Sequence, residues 1–269
     1  MKLIYLLLII VVVSVFPSTS DSETIQRFGE GLSRHKEMYL MPATWADEYQ
    51  ADETEVVFQL SAKQRFFKTN LYFAYTQKSF WQAYNTDDSS PFRETNYNPE
   101  VFYRFEPGSF ASWGLGSSGF VKGLGADIGF EHESNGQSLP LSRSWNRLYF
   151  TPGYANDNLL VQLKLSYRLP EDNKENPEET KGDDNPDITD YYGHAELNLY
   201  QQFYKSHMVH LMLRGNGETK KGAFELTYSL PGFSGNTFYM IKAFHGYGDS
   251  LVDYNQSISR IGIGVMLSR

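Results

Sequence analysis

Hydrophobic and polar residues alternate with a period of two along most of this chain, whereas the 3.6-residue period of a helix is scarce. The clearest segment is 159–168, in which the odd positions are Leu, Val, Leu, Leu and Tyr and the even positions are Leu, Gln, Lys, Ser and Arg. The other segments with a similar pattern are 39–45, 55–61, 69–81, 101–106, 124–134, 144–152, 192–203, 209–214, 223–230, 237–244 and 260–267. The pattern therefore predicts twelve β-strands, each with one apolar and one polar face.

The polar face of these strands carries full charges, which separates two kinds of β-fold. The charged positions include Lys164, Arg168, Arg214, Glu225 and Arg260. A packed soluble core would not tolerate such charges unpaired, whereas the lumen of a membrane barrel can hold them in polar networks. We therefore expect an all-β fold, a twelve-stranded antiparallel transmembrane β-barrel over residues 38–269. A soluble β-sandwich or a lipocalin-like barrel alternates in the same way and is the alternative.

The N-terminal residues have a different character from the rest of the chain. Lys2 is followed by an almost unbroken apolar run from Leu3 to Phe16, and then by Pro, Ser, Thr and Ser at 17–20. This order predicts a secretory signal peptide at residues 1–20, followed by an exported lead at residues 21–37. A permanent membrane anchor is the alternative, although the run is shorter than the ~20 apolar residues that a spanning helix needs.

Composition limits how the fold can be stabilised and which partners the protein can bind. The chain has no Cys, so an exported domain of this sequence must be stabilised by its backbone ladder and its packing rather than by disulfides. Its net charge of −8 leaves no basic stripe to neutralise phosphates, and we expect no nucleic-acid partner. The acidic run 170–187, which is rich in Pro and Asn, predicts one long solvated loop.

Two segments place polar side chains on a face that should meet lipid. Positions 126, 128 and 130 are Ala, Ile and Phe, so strand parity puts His132 and Ser134 on the same apolar face. Positions 148 and 150 are Leu and Phe, which puts Asn146 on the apolar face of the next strand. An antiparallel hairpin with its loop at 135–143 brings His132 opposite Asn146 and Ser134 opposite Ser144. A polar group that faces hydrocarbon is costly, so three of them together indicate a function.

These three side chains have the chemistry of an activated nucleophile. Ser134 can attack an ester carbonyl, and His132 can take its proton and later deliver it to the leaving alcohol. Asn146 can hold the imidazole in the productive tautomer. An ordinary polar rim at the membrane boundary is the alternative for each residue taken alone.

Two further features are less specific. Gln77 lies on the apolar face of its predicted strand, which favours either a hydrogen-bonding partner such as another subunit or a contact with lipid headgroups. The segment 89–97 follows Trp81 and is interpreted as a polar loop.

Several segments carry a resemblance to a known family, the bacterial outer membrane phospholipase A family. They are YTQKS (75–79), SSPFRETNY (89–97), HESNG (132–136), SRSWNRLY (142–149), DDNPDIT (183–189), GYGDSL (246–251), DYN (253–255) and GIGVML (262–267). The similarity runs in order from about Tyr39 to the C-terminus, and words of this length do not match by chance.

The resemblance implies a twelve-stranded barrel in the bacterial outer membrane, with the active site on its outer wall in the outer leaflet. It implies that Ser134 is the nucleophile, that His132 is the base and that Asn146 orients His132. It also implies that the amide of Gly136 helps to form the oxyanion hole. The expected activity is hydrolysis of the sn-1 and sn-2 acyl esters of phospholipids and lysophospholipids.

The same resemblance implies a Ca²⁺ cofactor at the interface of a homodimer. The ligands would be the side chain of Ser142, the backbone carbonyl of Gln137, and the carbonyl of Ser89 from the partner subunit. Gln77 would meet its symmetry mate across the interface. The dimer would be the active form. The monomer would be the inactive form, surrounded by outer-membrane lipid in an intact membrane.

The sequence leaves two other functions open. A passive porin or structural barrel has the same strand pattern, but it has no use for a nucleophile on its lipid face. A barrel that keeps the fold and has lost activity is disfavoured because His132, Ser134 and Asn146 are all present.

Overall fold

The structure is a computed structural model that describes residues 32–47, 54–114, 116, 118–176, 179–233 and 237–269. The expected signal peptide and residues 21–31 of the expected lead lie outside these residues. The strands are β1 (Ser33–Arg34), β2 (Met38–Ala46), β3 (Glu55–Arg65), β4 (Leu71–Trp81), β5 (Phe92–Phe105), β6 (Leu124–Ser134), β7 (Ser144–Ala155), β8 (Leu159–Arg168), β9 (Ala195–Phe203), β10 (His207–Asn216), β11 (Lys221–Pro231), β12 (Phe238–Tyr247) and β13 (Ser257–Ser268). The short helices are α1 (Ser109–Ser112), α2 (Gly119–Gly123) and α3 (Ile188–Tyr192), with a 3₁₀ turn at Tyr204–Ser206.

Strands β2 to β13 form a closed antiparallel barrel of twelve strands, which confirms the predicted fold class. Each strand pairs with its neighbours in the sequence, and the pairing of β13 with β2 joins the last strand to the first. The two-residue strand β1 pairs with the end of β3 and is not one of the twelve strands of the barrel wall. Among the described residues, no helix has both the length and the apolar character needed to cross a bilayer.

Most strand boundaries agree with the alternation pattern, and β6 and β8 begin and end at the predicted residues. The interpretation of 89–97 as a loop is wrong from Phe92 onward, because β5 begins there. The part of β5 near Phe92 has no clear apolar stripe because its outward positions include Thr95 and Pro99, which alternate with the inward polar residues Glu94, Asn96 and Asn98. Helix α3 shortens the strand expected from Tyr192, so that β9 begins at Ala195.

The two faces of the wall differ as the alternation indicates. On the outside, Ile128, Phe130, Leu148 and Phe150 are between 39% and 52% exposed on a single-chain surface. On the inside, the charges expected in the lumen are present and paired. The pairs are Lys164–Glu131 at 2.7 Å, Arg168–Asp183 at 2.6 Å, Arg214–Glu196 at 3.9 Å, Lys242–Glu225 at 2.5 Å and Arg260–Asp249 at 2.6 Å.

The last residues of the expected lead lie against the barrel. Lys36 Nζ is 2.8 Å from Glu100 Oε1, and Glu37 Oε1 is 3.1 Å from His210 Nδ1. Glu37 is only 5% exposed, so the chain enters β2 from the lumen side of the wall.

The upper end of the barrel, defined as the end at which β6 ends and β7 begins, is filled by a small apolar cluster. The cluster consists of Trp145, Ile188, Tyr192, Leu251 and Tyr254. It combines β7 with α3 and with the loop 248–256. The inner side of the β6–β7 hairpin is therefore supported where its outer side carries the candidate site.

Candidate active site

The β6–β7 hairpin brings the predicted site residues together in the expected register. His132 is directly opposite Asn146, and Ser134 is directly opposite Ser144. All are at the upper end, where the ladder ends and the loop 135–143 begins. His132, Ser134 and Asn146 are partly exposed and share the outward face with Phe130.

The imidazole of His132 is held by the amide of Asn146. His132 Nδ1 and Asn146 Oδ1 are 3.0 Å apart, which is hydrogen-bond distance. Because Oδ1 only accepts, the hydrogen lies on Nδ1 and Nε2 is left as the acceptor. Ser134 and His132 make no hydrogen bond to each other within the described structure. In hydrolases the hydrogen bond between nucleophile and base often tightens only when substrate binds.

The neighbouring strand β5 supports the same segment from the other side. Tyr97 pairs with Ser134, and the register then passes to the pair Glu100↔Glu131. Pro99 lies between these pairs and has no N–H to donate. The side chain of Asn98 donates to the carbonyl of His132 at 2.9 Å. The backbone under the catalytic candidates is therefore bonded on both edges.

The loop 135–143 is organised by one buried asparagine. Asn135 Oδ1 accepts from the N–H of Gln137 at 3.2 Å and of Arg143 at 3.0 Å, and its Nδ2 donates to the carbonyl of Leu141 at 2.8 Å. Gly136 follows in the left-handed region with a φ of 63°. Among the described residues, none accepts a hydrogen bond from the Gly136 N–H. That N–H stands two residues beyond Ser134 and can serve a developing oxyanion.

On the inward face, a charge network supports the hairpin. Arg147 Nε is 3.0 Å from Glu131 Oε1, and Arg147 Nη2 is 2.9 Å from Glu133 Oε2. The Arg147 guanidinium lies 3.7 Å from the centre of a ring of Trp145, whose indole N–H donates to Glu133 at 3.0 Å. Lys164 provides a second cation for Glu131. These contacts fix the positions that alternate with His132 and Ser134.

The residues expected to bind Ca²⁺ offer oxygen donors of the kind that this ion prefers. Ser142 Oγ donates to Asp184 Oδ2 at 2.5 Å, so a hydroxyl and a carboxylate lie together beside the loop. Gln137 has its carbonyl in the same loop, and its side chain Nε2 donates to the Arg93 carbonyl at 3.3 Å. The Ser142 hydroxyl and the Gln137 carbonyl are oxygen donors that suit a hard cation, so these two residues fit calcium, whereas Asp184 is already paired with Lys174.

The other predicted interface residues lie on strand β4, which pairs with β5, or in the loop that follows β4. Gln77 is on its outward face, accepts from the hydroxyl of Tyr75 at 3.1 Å and donates to Ser79 at 3.2 Å. Ser89 is in the loop 82–91 with a φ of 62°. The role predicted for Ser89, as a ligand of the ion held by a second subunit, stays a prediction.

A different group of three ligand-type side chains lies in the lumen. Ligand atoms of Glu37, His210 and Glu225 are within 4.8 Å of one another. Lys242 Nζ is 2.5 Å from Glu225 and 3.6 Å from Glu37, so a protein cation already neutralises this group.

The loops at the upper end contain strongly perturbed acids. Burial alone would raise the pKa of Asp249, but the Arg260 guanidinium and the Lys78 ammonium hold it well below its usual range. Burial and the hydrogen bond to Asp187 raise the pKa of the Tyr254 hydroxyl. Asp249 is therefore ionised and Tyr254 neutral at physiological pH, and both act as fixed hydrogen-bonding partners in the loop 248–256.

Sequence reasoning missed two acidic residues that contact the site. Asp184 bonds to Ser142, and Glu171 Oε1 accepts from Asn146 Nδ2 at 3.2 Å. Both are in the acidic run, which has no periodicity that could place a given side chain. The only available signal was the concentration of carboxylates between two strands of the barrel.

The chain is similar in sequence to a known protein family and to several named proteins. A family model described as Phospholipase A1 matches residues 19–267. A putative phospholipase A1 of Neisseria meningitidis is 36% identical over 263 residues, which is 88% of this chain and 65% of that relative. The chain thus spans slightly less than two thirds of that relative's length. Phospholipase A1 of Escherichia coli K12 is 38% identical over 235 residues, which is 83% of this chain and 72% of the relative.

Solved structures are similar over nearly the whole barrel. Outer membrane phospholipase A from Escherichia coli superposes with a TM-score of 0.74 at 33% identity, covering 89% of this chain and 93% of that chain. One structure of that protein is an active-site mutant in which an asparagine is replaced by alanine. A calcium-bound dimer of the outer membrane phospholipase of Salmonella typhi has a TM-score of 0.74 at 32% identity, with the same coverage.

Proposed function

This chain belongs to the phospholipase A1 family, and we propose that it is a calcium-dependent phospholipase of the bacterial outer membrane. It hydrolyses the sn-1 and sn-2 acyl esters of phospholipids and also those of lysophospholipids. The observation that carries the proposal is the His132–Asn146 hydrogen bond on the outward face of the barrel, with Ser134 on the same face of the same strand. A surface that faces lipid is in contact with membrane lipids and not with water-soluble substrates, so a membrane lipid is the substrate that this site would meet.

The residues divide the reaction between them in the manner of a serine hydrolase. Ser134 Oγ attacks the ester carbonyl carbon, and His132 Nε2 takes the hydroxyl proton and passes it to the leaving alcohol. Water then hydrolyses the acyl-serine, with His132 acting as base again. Asn146 keeps the imidazole in the Nδ1–H tautomer and in the plane of attack. The asparagine exchanged in the active-site mutant of the Escherichia coli neighbour supports this role.

Charge on the carbonyl oxygen is stabilised at the upper rim. The Gly136 N–H donates to the oxyanion. Ser142 Oγ and the Gln137 carbonyl would hold Ca²⁺, together with the carbonyl of the partner subunit's Ser89. Bound there, the ion supplies positive charge that stabilises an oxyanion without a proton transfer.

Activity depends on a homodimer, which completes the calcium site and forms acyl-chain clefts between subunits. Gln77 lies on the outward face of β4 and meets its symmetry mate across the interface. The calcium-bound dimer of the Salmonella typhi neighbour supports this arrangement. The monomer is silent in an intact membrane because it lacks the partner's ligand.

The test is phospholipid hydrolysis by the refolded protein in detergent micelles, with calcium, with chelator, and with Ser134→Ala. We expect chelator to abolish fatty-acid release and Ser134→Ala to lower it by at least about 1,000-fold. Ser144→Ala is the matched control, because Ser144 is directly opposite on β7 and has no role in the chemistry.

Equal rates for Ser134→Ala and wild type would refute the nucleophile. If a folded dimer hydrolysed no phospholipid in the presence of calcium, the function of a passive porin or structural barrel would be favoured instead.

A further inference from the structure

The amide of Asn146 has a second partner besides the imidazole. Its Nδ2 donates to Glu171 Oε1 at 3.2 Å, while its Oδ1 faces His132 Nδ1 at 3.0 Å. Glu171 is 25 residues further along the chain, in the loop that follows β8, and its side chain is partly buried. A row of hydrogen-bonded side chains therefore runs from Glu171 through Asn146 to His132.

A carboxylate at this place decides which way the amide points. An ionised glutamate only accepts hydrogen bonds, so the end of the Asn146 side chain that faces it must be the NH₂ group. The oxygen then faces His132, and an oxygen only accepts, so the proton of the neutral imidazole must sit on Nδ1. Nε2 is left as the acceptor for the hydroxyl proton of Ser134. Without the carboxylate, a rotated amide would present NH₂ to the imidazole and favour the opposite, unproductive tautomer.

The backbone holds Glu171 in place on both sides. The N–H of Leu169 donates to the carbonyl of Asn146 at 2.8 Å, just above the last β7–β8 pair. The N–H of Asp183 donates to the carbonyl of Asp172 at 2.8 Å, and the side chain of Asp183 is paired with Arg168 at 2.6 Å. The segment from Leu169 to Asp172 is thus tied at each end, so ordering Glu171 costs little additional entropy when substrate binds.

We infer that Glu171 is a positioning residue of the active site, which sets the orientation of the Asn146 amide and through it the tautomer of His132. The inference rests on the proposed function. Among the described residues, Glu171 bonds to Asn146 and makes no bond to Ser134 or His132, the residues that would act on the ester. Its effect must therefore appear in the chemical step and must depend on Asn146.

The experiment measures kcat and KM for phospholipid hydrolysis in calcium-containing micelles for wild type, Glu171→Ala and Glu171→Gln. Glu171→Ala should lower kcat about ten-fold with KM unchanged, because the hydrogen bond to a charged acceptor is lost. Glu171→Gln retains an acceptor oxygen and should lose less. Glu175→Ala is the control, since Glu175 is an exposed acid of the same loop, and it should match wild type.

A double-mutant cycle separates positioning from a merely structural role. In an Asn146→Ala background, Glu171→Ala should cause no further loss, either in kcat or in the rate at which an alkylsulfonyl fluoride modifies Ser134. The same loss in both backgrounds, or no loss in wild type, would overturn the inference. Ser134→Ala run alongside distinguishes this from failure of the proposed function, because that failure would leave Ser134→Ala as active as wild type.

Discussion

Asn146 occupies a place where an acidic side chain is common in hydrolases, and its surroundings explain why a neutral group suits it. It lies between a ring nitrogen that must donate and the carboxylate of Glu171 that can only accept. An amide satisfies both partners, whereas a carboxylate there would face a second carboxylate at close range. The neutral group also costs less than a charge on an outward face.

Gly136 is the residue at which backbone conformation and chemistry meet most directly. A Cβ added there would lie 3.2 Å from Tyr97 Cε2, and the φ of +63° is one that other residues rarely adopt. We expect Gly136→Ala to shift the N–H away from the oxyanion and to lower kcat by about 10- to 100-fold. Fatty-acid release in micelles measures this. Gly217→Ala, where an added Cβ meets nothing within 4 Å, is the control, and equal kcat values for the two variants would contradict the assignment.

At the scale of elements, the β6–β7 hairpin was predictable and its surroundings were only partly so. Alternation placed His132, Ser134 and Asn146 because each strand kept a strict period of two up to the loop. The upper half of β5 was missed, since Thr95 and Pro99 interrupt the apolar residues of its outward face. The contact of Glu171 with Asn146 could not be predicted, because a long aperiodic loop specifies no register and only the folded chain brings it back.

The same hairpin is stabilised from the lumen by Arg147. Arg147→Met would leave the carboxylates of Glu131 and Glu133 without their shared cation, and Glu131 is fully buried. Because Lys164 remains as a cation for Glu131, we expect the free energy of unfolding to fall by about 1–3 kcal/mol, measured by denaturant unfolding in detergent.

The matched control is Lys122→Met, at an exposed position of α2, which should change stability by no more than about 0.5 kcal/mol. If Arg147→Met proved as stable as this control, the network would not be what holds the hairpin.

At the scale of the whole molecule, the barrel reverses the usual arrangement of a soluble enzyme. Apolar side chains cover the outside, and the ion pairs fill the inside. The site is built on the outer surface and draws its rigidity from the inner one. Stability should consequently depend on pH much more than it does for a protein with an apolar core.

Glu37 provides a test of that dependence. Burial alone would raise its pKa, but Lys242 and His210 lower it from the ordinary 4.5 to about 2. The Glu37 carboxylate of the unfolded chain therefore binds a proton more tightly than that of the folded chain. The stabilisation that ionised Glu37 contributes is present above pH 4.5 and is lost as the pH falls toward 2. The contribution is about 3 kcal/mol.

We expect the free energy of unfolding in detergent to fall less between neutral pH and about pH 3 for Glu37→Gln than for wild type. Glu175→Gln, at an exposed position, should behave as wild type does. An identical acid dependence in Glu37→Gln would show that other carboxylates control it.

The alternation of β6 also has a consequence for how such a sequence can change over generations. Glu131 and Glu133 face the charge network in the lumen, whereas His132 and Ser134 face the membrane. Four consecutive positions are therefore under two different constraints, barrel stability and catalysis. Replacements at the odd positions are selected on whether the barrel assembles, and those at the even positions are selected on turnover. A lineage can therefore lose catalysis and keep a sound barrel by a single exchange, without passing through an unstable ancestor.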